Sequence, residues 1–240
     1  MTTTRMEDIR QGTARTALGR AVDEEAVRAN LERYRELALA SGATDAVIIP
    51  ASDVVVDERV RLKCLVPRCL RAGETPNCPP HAPDLDLIRE ALNRFFWAVL
   101  FKCHVEPLED YLPGSGKTKA ERGWKTSERG WKTSERRTLS FHRQSSDVIY
   151  ALERQAYKDG YHLAMGFGGG SCKDYLCNGM ICQFLDSGRC RFPHRARPAM
   201  EAMGIDVIAL INKVGWEAYA LLDDLSEVPC AITMGIVFIC

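Results

Sequence analysis

Phe96-Trp97-Ala98-Val99-Leu100-Phe101-Lys102-Cys103 decides how this 240-residue chain folds. The run is almost continuously apolar and follows neither a helical nor an alternating period. A central strand has this pattern. Before it, Ala46-Val47-Ile48-Ile49-Pro50 reads as a second buried strand. Val54-Val55-Val56 and Glu58-Arg59-Val60-Arg61-Leu62-Lys63 read as a hairpin or two short strands, the second alternating charged and apolar residues. After it, Tyr161 to Met165, Trp216 to Leu222 and Ile232 to Ile239 complete the predicted strands.

Helices are expected from Asp23 to about Ala40, with Val27, Leu31, Tyr34 and Leu37 on one stripe and Gly42 as the stop. Others run from Leu85 to about Phe95 behind Asp84, over 138–159 up to Gly160, from Pro198 to Gly204, and from Asp206 to Lys213. The expected class is α/β (α+β), a single mixed-sheet sandwich with two cysteine-rich metal-binding loops. Residues 1–22 read as a flexible lead-in, 23–240 as one domain, and 114–137 as a basic insertion within it.

Composition sets outer bounds. A content of 46% hydrophobic and 27% charged residues is that of an ordinary globular protein. The zero formal net charge points to neither nucleic acid nor a membrane surface. The first ten residues lack the apolar stretch of a secretory signal, and the run from Ala231 to Cys240 is too short to span a bilayer. A cytoplasmic protein is expected. In that reducing compartment, closely spaced cysteines serve as metal ligands or reactive thiols rather than as disulfides.

Seven of the ten cysteines fall in two windows. The first is Cys64-x4-Cys69-x8-Cys78-Pro79-Pro80-His81. The second is Cys172-x4-Cys177-x4-Cys182-x7-Cys190-x2-Pro193, entered through Gly166-Phe167-Gly168-Gly169-Gly170-Ser171. Four thiolates on one segment suit either zinc or an iron–sulfur cluster. Glycines let a backbone pass close to a bound group, so Gly168, Gly169 and Gly170 are candidate cofactor contacts. Three evenly spaced cysteines plus a fourth favour [4Fe-4S] over zinc, although Cys64/Cys69, Cys172/Cys177 and Cys177/Cys182 also have zinc-pair spacing. The first window has three cysteines. Its fourth ligand is Cys103 or His81, or one iron is left open, which would make the site catalytic. Cys103, Cys230 and Cys240 otherwise read as structural thiols, and His194 as a surface histidine or else a spare ligand or proton donor near the cluster.

Two nucleotide-binding look-alikes fail. Gly114-Ser115-Gly116-Lys117-Thr118 ends like a phosphate loop, but Tyr111 stands where that motif needs glycine. The glycine run at 166–171 ends in serine and leads into cysteines, not a nucleotide-binding helix. Glu121-Arg122-Gly123-Trp124-Lys125-Thr126-Ser127 is repeated at once as Glu128 to Ser134. From Lys117 to Arg143 nine Lys/Arg face three Glu, a local charge of +6, so this stretch is a solvated insertion or a contact for a partner.

At the cysteine windows the sequence resembles a prokaryotic family of predicted metal-binding proteins, domain of unknown function 2284. The resemblance is carried by Cys64-x4-Cys69-x8-Cys78-Pro79-Pro80, the glycine run into Cys172, Cys190-x2-Pro193, and Ala196-Arg197-Pro198-Ala199-Met200-Glu201-Ala202-Met203-Gly204-Ile205-Asp206-Val207. It covers roughly residues 45–240. It implies metal binding at Cys64, Cys69, Cys78, Cys172, Cys177, Cys182 and Cys190, and no particular reaction. The expected function is therefore a soluble iron–sulfur protein with one or two [4Fe-4S] clusters that exchanges electrons with a redox partner protein. The alternatives are an iron–sulfur enzyme with an open site at Cys64/Cys69/Cys78, and a zinc-stabilised interaction module.

Overall fold

A computed structural model describes residues 24–105, 131–219 and 228–240, with 131–140 described by their backbone alone. The described part is a mixed α/β structure of seven helices and a four-stranded sheet. Strands β1 (Asp45–Pro50), β2 (Trp97–Val105), β3 (Met165–Phe167) and β4 (Ala231–Phe238) lie in the order β1-β2-β4-β3. All neighbours pair antiparallel, from Asp45 opposite Lys102 to Val105 opposite Ala231 and Phe167 opposite Ile236. The parallel element is a single bridge, Gly168 to Ala199.

The strand at 97–105 is central, as its composition requires. Ala98, Val99, Leu100, Phe101 and Cys103 are fully buried. Alternate residues feed opposite cores. Val99, Phe101 and Cys103 pack with Val237 under α1 (Glu24–Ala40) and α4 (Trp131–Lys158), through Leu31, Tyr34, Ala38, Val148, Leu152 and Ala156. Ala98 and Leu100 pack with Ile236 and Phe238 against Ile88 and Leu92 of α3 (Leu85–Leu92), and against Met200, Met203, Ile205 and Leu210 around α7 (Val207–Lys213). Each such Leu, Ile or Phe contributes about 1.5–3 kcal/mol by leaving water. Gly235 is glycine because a Cβ there would stand 2.4 Å from the Phe101 ring. Hydrogen bonds lock α1 to the end of α4: Tyr34 Oη donates to Asp159 (2.7 Å), as does Arg33 (2.6 Å).

Several predicted elements differ. Glu58–Leu65 is a helix, α2, not a strand, and Val56 makes one isolated bridge to Ile205. Asp57 caps this helix by accepting from the Arg59 amide at 2.7 Å. None of its residues is buried, so the apolar alternation reflects no sheet face. Tyr161 to Ala164 form a turn, and the strand begins at Met165. Trp216 to Tyr219 is irregular, with Trp216 held by its side chain, whose Nε1 donates to Asp45 at 2.9 Å; residues 220–222 of the expected strand lie outside the described residues. Residues 131–137 of the basic insertion belong to helix α4 rather than to a loop. The lead-in, Gly114 to Thr118 and the repeat up to Gly130 lie outside the described residues. No described helix is long and apolar enough to cross a membrane.

Candidate metal centre

The second cysteine window is folded by short helices and left-handed turns. Helix α5 (Cys172–Tyr175) begins at Cys172, and Asn178 and Gly179 both adopt positive φ, turning the chain back. Cys182 stands just before α6 (Gln183–Ser187), which Gly188 ends at φ 72°. Arg191 donates to the Ile181 carbonyl at 2.8 Å, closing the loop before Pro193. The result places Cys172, Cys177, Cys182 and Cys190 around one small cavity of about 20 Å³. Burial pushes the Cys172 thiol up to about 12, with a counteracting hydrogen bond from Asn77 and further upward pressure from Cys78, Cys177 and Cys182. The Phe192 amide donates to Cys190 Sγ at 3.4 Å.

The first window follows from α2. Cys64 lies on the last turn of that helix, and the Cys69 amide donates to the Cys64 carbonyl at 3.0 Å. The Arg71 amide donates to Cys69 Sγ at 3.5 Å. Gly73, at φ 82°, turns the chain so that its amide reaches the Pro79 carbonyl at 2.7 Å. Burial raises the Cys64 thiol, followed by the proximity of Cys69, Glu201 and Cys78. Cys64 and Cys69 open on a second cavity, of about 500 Å³, which His142, Glu201, Cys230 and Thr233 also line. Glu201 meets water through that cavity yet is ringed by protein, and desolvation raises its carboxyl.

The fold presses the two windows together. Arg71 pairs with Asp174 (2.6 Å) and with Glu74 (3.0 Å), and Lys173 pairs with Glu74 (3.1 Å). Asn77 Nδ2 donates to Cys172 Sγ at 3.5 Å, and the Cys78 thiol lies 4.0 Å from the Ser171 hydroxyl oxygen. Cys78 thus stands at the junction, facing the second window.

Of the other candidates, Cys103 and Cys240 lie away from this site. Cys103 is buried between β2 and the α1/α4 layer, where burial pushes its thiol up to about 11, and it does not join the first window. His81 and His194 are exposed. Cys240 lines a cavity beside Tyr161, at the other end of the sheet from Ala231. Cys230 does reach the larger cavity. Of the glycines, Gly169 and Gly170 line that cavity. Their most direct role is close approach to α4: a Cβ on Gly170 would stand 2.7 Å from the His142 ring, and one on Gly168 3.1 Å from Ile149.

A model of the family described as predicted metal-binding proteins (DUF2284) matches residues 47–239. The chain belongs to this family. No curated protein and no solved structure matches the chain.

The donor chemistry of the residues present suits the metal that the family description implies. All ten cysteines are free thiols. The lining of the smaller cavity supplies soft sulfur donors, with amide hydrogens on Cys172 and Cys190. Thr75 lines the same cavity, and its hydroxyl is buried without a hydrogen-bond partner. Among the described residues, no three His, Cys, Asp or Glu side chains converge closely enough to hold a metal ion as they stand. Metal binding would have to draw the sulfurs in, displacing thiol protons as it does so.

Proposed function

We propose that this protein carries one or two [4Fe-4S] clusters and passes single electrons between redox partner proteins in the cytoplasm. Cys172, Cys177, Cys182 and Cys190 are the ligands of one centre, and Cys64, Cys69 and Cys78 serve the other. The observation that carries this reading is the packing of the two cysteine windows against each other through Asn77–Cys172 and Cys78–Ser171. Two centres held there would lie side by side, an arrangement that suits an electron relay. When bound, such a cluster supplies one-electron redox chemistry. The chain's own part is to hold the thiolates, to direct the Asn77 and Phe192 N–H groups at sulfur, and to exclude water from Cys172, which is 7% exposed. One electron arrives from a donor protein and the same electron leaves to an acceptor.

Two observations favour other readings. A cavity of about 20 Å³ has room for little more than one water-sized atom, which favours a single zinc ion of structural role. The cavity of about 500 Å³ beside Cys64 and Cys69 is the size of a small-molecule site, which favours an enzyme with an open iron in the first window.

Iron and zinc analysis of anaerobically purified protein separates them. The iron–sulfur reading expects a brown protein whose absorbance near about 400 nm bleaches on reduction. Cys177→Ser and Cys69→Ser, at the less buried positions of each window, should each remove one centre's share of the iron. Colourless protein with stoichiometric zinc overturns the reading. An EPR signal altered by cyanide in the wild type and lost in Cys69→Ser would move it to the open-iron enzyme.

A further inference from the structure

Thr75 comes from the first window's loop, yet its hydroxyl has no partner there. The residue is 1% exposed and its Oγ1 is buried with no hydrogen-bond partner. A hydroxyl left so costs free energy in any folded protein, and native structures rarely tolerate one without a reason. Its position gives the reason. Thr75 lines the small cavity around which Cys172, Cys177, Cys182 and Cys190 stand, two residues before Asn77, whose amide already donates to Cys172 Sγ at 3.5 Å. The backbone holds it in place: the Cys78 amide donates to the Thr75 carbonyl at 3.2 Å, and Arg71 and Glu74 on the same turn are tied to Asp174 and Lys173.

We propose that Thr75 donates its hydroxyl hydrogen to a sulfur of the centre held by Cys172, Cys177, Cys182 and Cys190. The first loop would thereby supply the outer hydrogen-bond shell of the second loop's metal. Its turn at Thr75–Asn77 acts as a two-donor clip, Thr75 and Asn77 together, across the windows. This rests on the iron–sulfur reading for its redox consequence and not for its geometry, because a zinc thiolate accepts the same bond. Thr75 is a positioning and tuning residue. A donor to sulfur stabilises the more negative, reduced state of a cluster, so Thr75 raises the reduction potential. In the metal-free protein the same hydroxyl is a burden, since it is buried with nothing to bond.

These two roles have opposite signs, and that makes the inference testable with Thr75→Val, which keeps the shape and loses the hydroxyl, and Thr75→Ser, which keeps the hydroxyl. Metal-free Thr75→Val should melt above metal-free wild type, because an orphaned polar group has been removed. In the iron-loaded protein Thr75→Val should shift the one-electron equilibrium of the second centre roughly tenfold toward the oxidised form, about 59 mV lower in potential. Thr75→Ser should stay near wild type in both measurements. A loaded Thr75→Val with an unchanged potential overturns the inference, as does a Thr75→Ser that behaves like Thr75→Val. If wild type takes up zinc and no iron, the iron–sulfur reading fails by itself. Thr75 is then read from zinc affinity by competition with a chelator, expected to be roughly tenfold weaker in Thr75→Val and unchanged in Thr75→Ser. Equal zinc affinity in all three proteins overturns it there.

Discussion

The two cysteine loops are mounted in different ways. The second hangs from the core. Its glycine lead-in continues β3, the Gly168 amide donates to the Pro198 carbonyl at 3.0 Å, and the Met200 amide returns a bond to Gly168 at 2.8 Å. Behind them Glu153 of α4 is nearly buried, at 8% exposure. It accepts from the Gly166 amide at 2.6 Å and from Arg197 through two bonds of 2.7 Å, clamping both ends of the window. The first loop leans instead on the chain around it. Arg61 donates to the Ala202 and Pro83 carbonyls, and the half-exposed Arg71 and Glu74 pair with Asp174 and Lys173 of the second loop. A loop anchored in the core thus supports one anchored on its surroundings, and the latter opens on the larger cavity.

Removing one clamp from each loop should expose the asymmetry. Glu153→Ala leaves the Arg197 guanidinium and the Gly166 amide without their carboxylate, and breaking a largely buried pair of this kind costs about 3–5 kcal/mol. Arg71→Ala removes ion pairs whose partners are 19–35% exposed at their side chains, a class worth about 1 kcal/mol or less. Denaturant unfolding of the metal-free variants measures both. Equal losses would show that the first loop is as firmly anchored as the second.

The glycines give the next contrast. Gly170 and Gly73 both hold left-handed φ, 67° and 82°. An alanine at either pays the left-handed penalty of about 1–2 kcal/mol. At Gly170 its Cβ would also press on the His142 ring at 2.7 Å, whereas at Gly73 it meets the far end of the long Arg68 side chain at 3.1 Å. Gly170→Ala should therefore destabilise by about 3 kcal/mol in total and Gly73→Ala by about 1. Thermal melts with matched refolding controls would detect the difference, and a Gly73→Ala loss as large as that of Gly170→Ala would contradict it.

What the sequence reveals follows from whether one chain segment decides the outcome. The central strand is legible because both of its faces are buried, so every residue from Ala98 to Phe101 is apolar. Helix α7 is legible because Asp206 caps it, accepting from the Ala209 amide at 3.0 Å. Helix α2 is not, since its charged and apolar residues alternate as an exposed strand's would and no buried face corrects the reading. The Trp216 segment is misread as a strand for a related reason: a side-chain bond to Asp45 holds it in place of a ladder. At the site the cysteines announce themselves by spacing. Thr75, Asn77, His142, Glu201 and Cys230 do not, because only the fold brings them beside thiols up to a hundred residues away or more. His142 shares the inward side of α4 with the buried polar residues Ser145 and Ser146, ahead of the apolar Val148, Ile149 and Leu152, but of the three polar residues only His142 reaches the larger cavity.

His142 also supplies the smallest and most selective test. Its ring lies against the glycine lead-in of the second loop, 6.2 Å from the Tyr175 ring, with Nδ1 3.4 Å from Thr233 Oγ1. Burial lowers its pKa to about 4 from an ordinary 6.5. The folded protein therefore keeps His142 neutral while the unfolded chain takes up a proton below about pH 6.5. Its contribution is complete above that pH and is lost as pH falls toward 4, by roughly 2 kcal/mol between pH 7 and 5. Glu201 opposes part of this, because a carboxyl raised by burial binds its proton earlier in the folded state than in the unfolded one. Glu74 holds its charge through the window, since Lys173 first, and Arg71 after it, keep its carboxyl below the usual range. The ties between the loops thus survive while the mount of the second loop weakens. His142→Gln, which cannot titrate, should flatten the acid slope of metal-free stability, leaving the opposing contribution of Glu201 and the acid-side losses of the carboxyls held below their usual range, Glu74 among them. A slope identical to that of wild type would mean that acid loosens the first loop instead, and that the second loop's mount is not where the pH dependence originates.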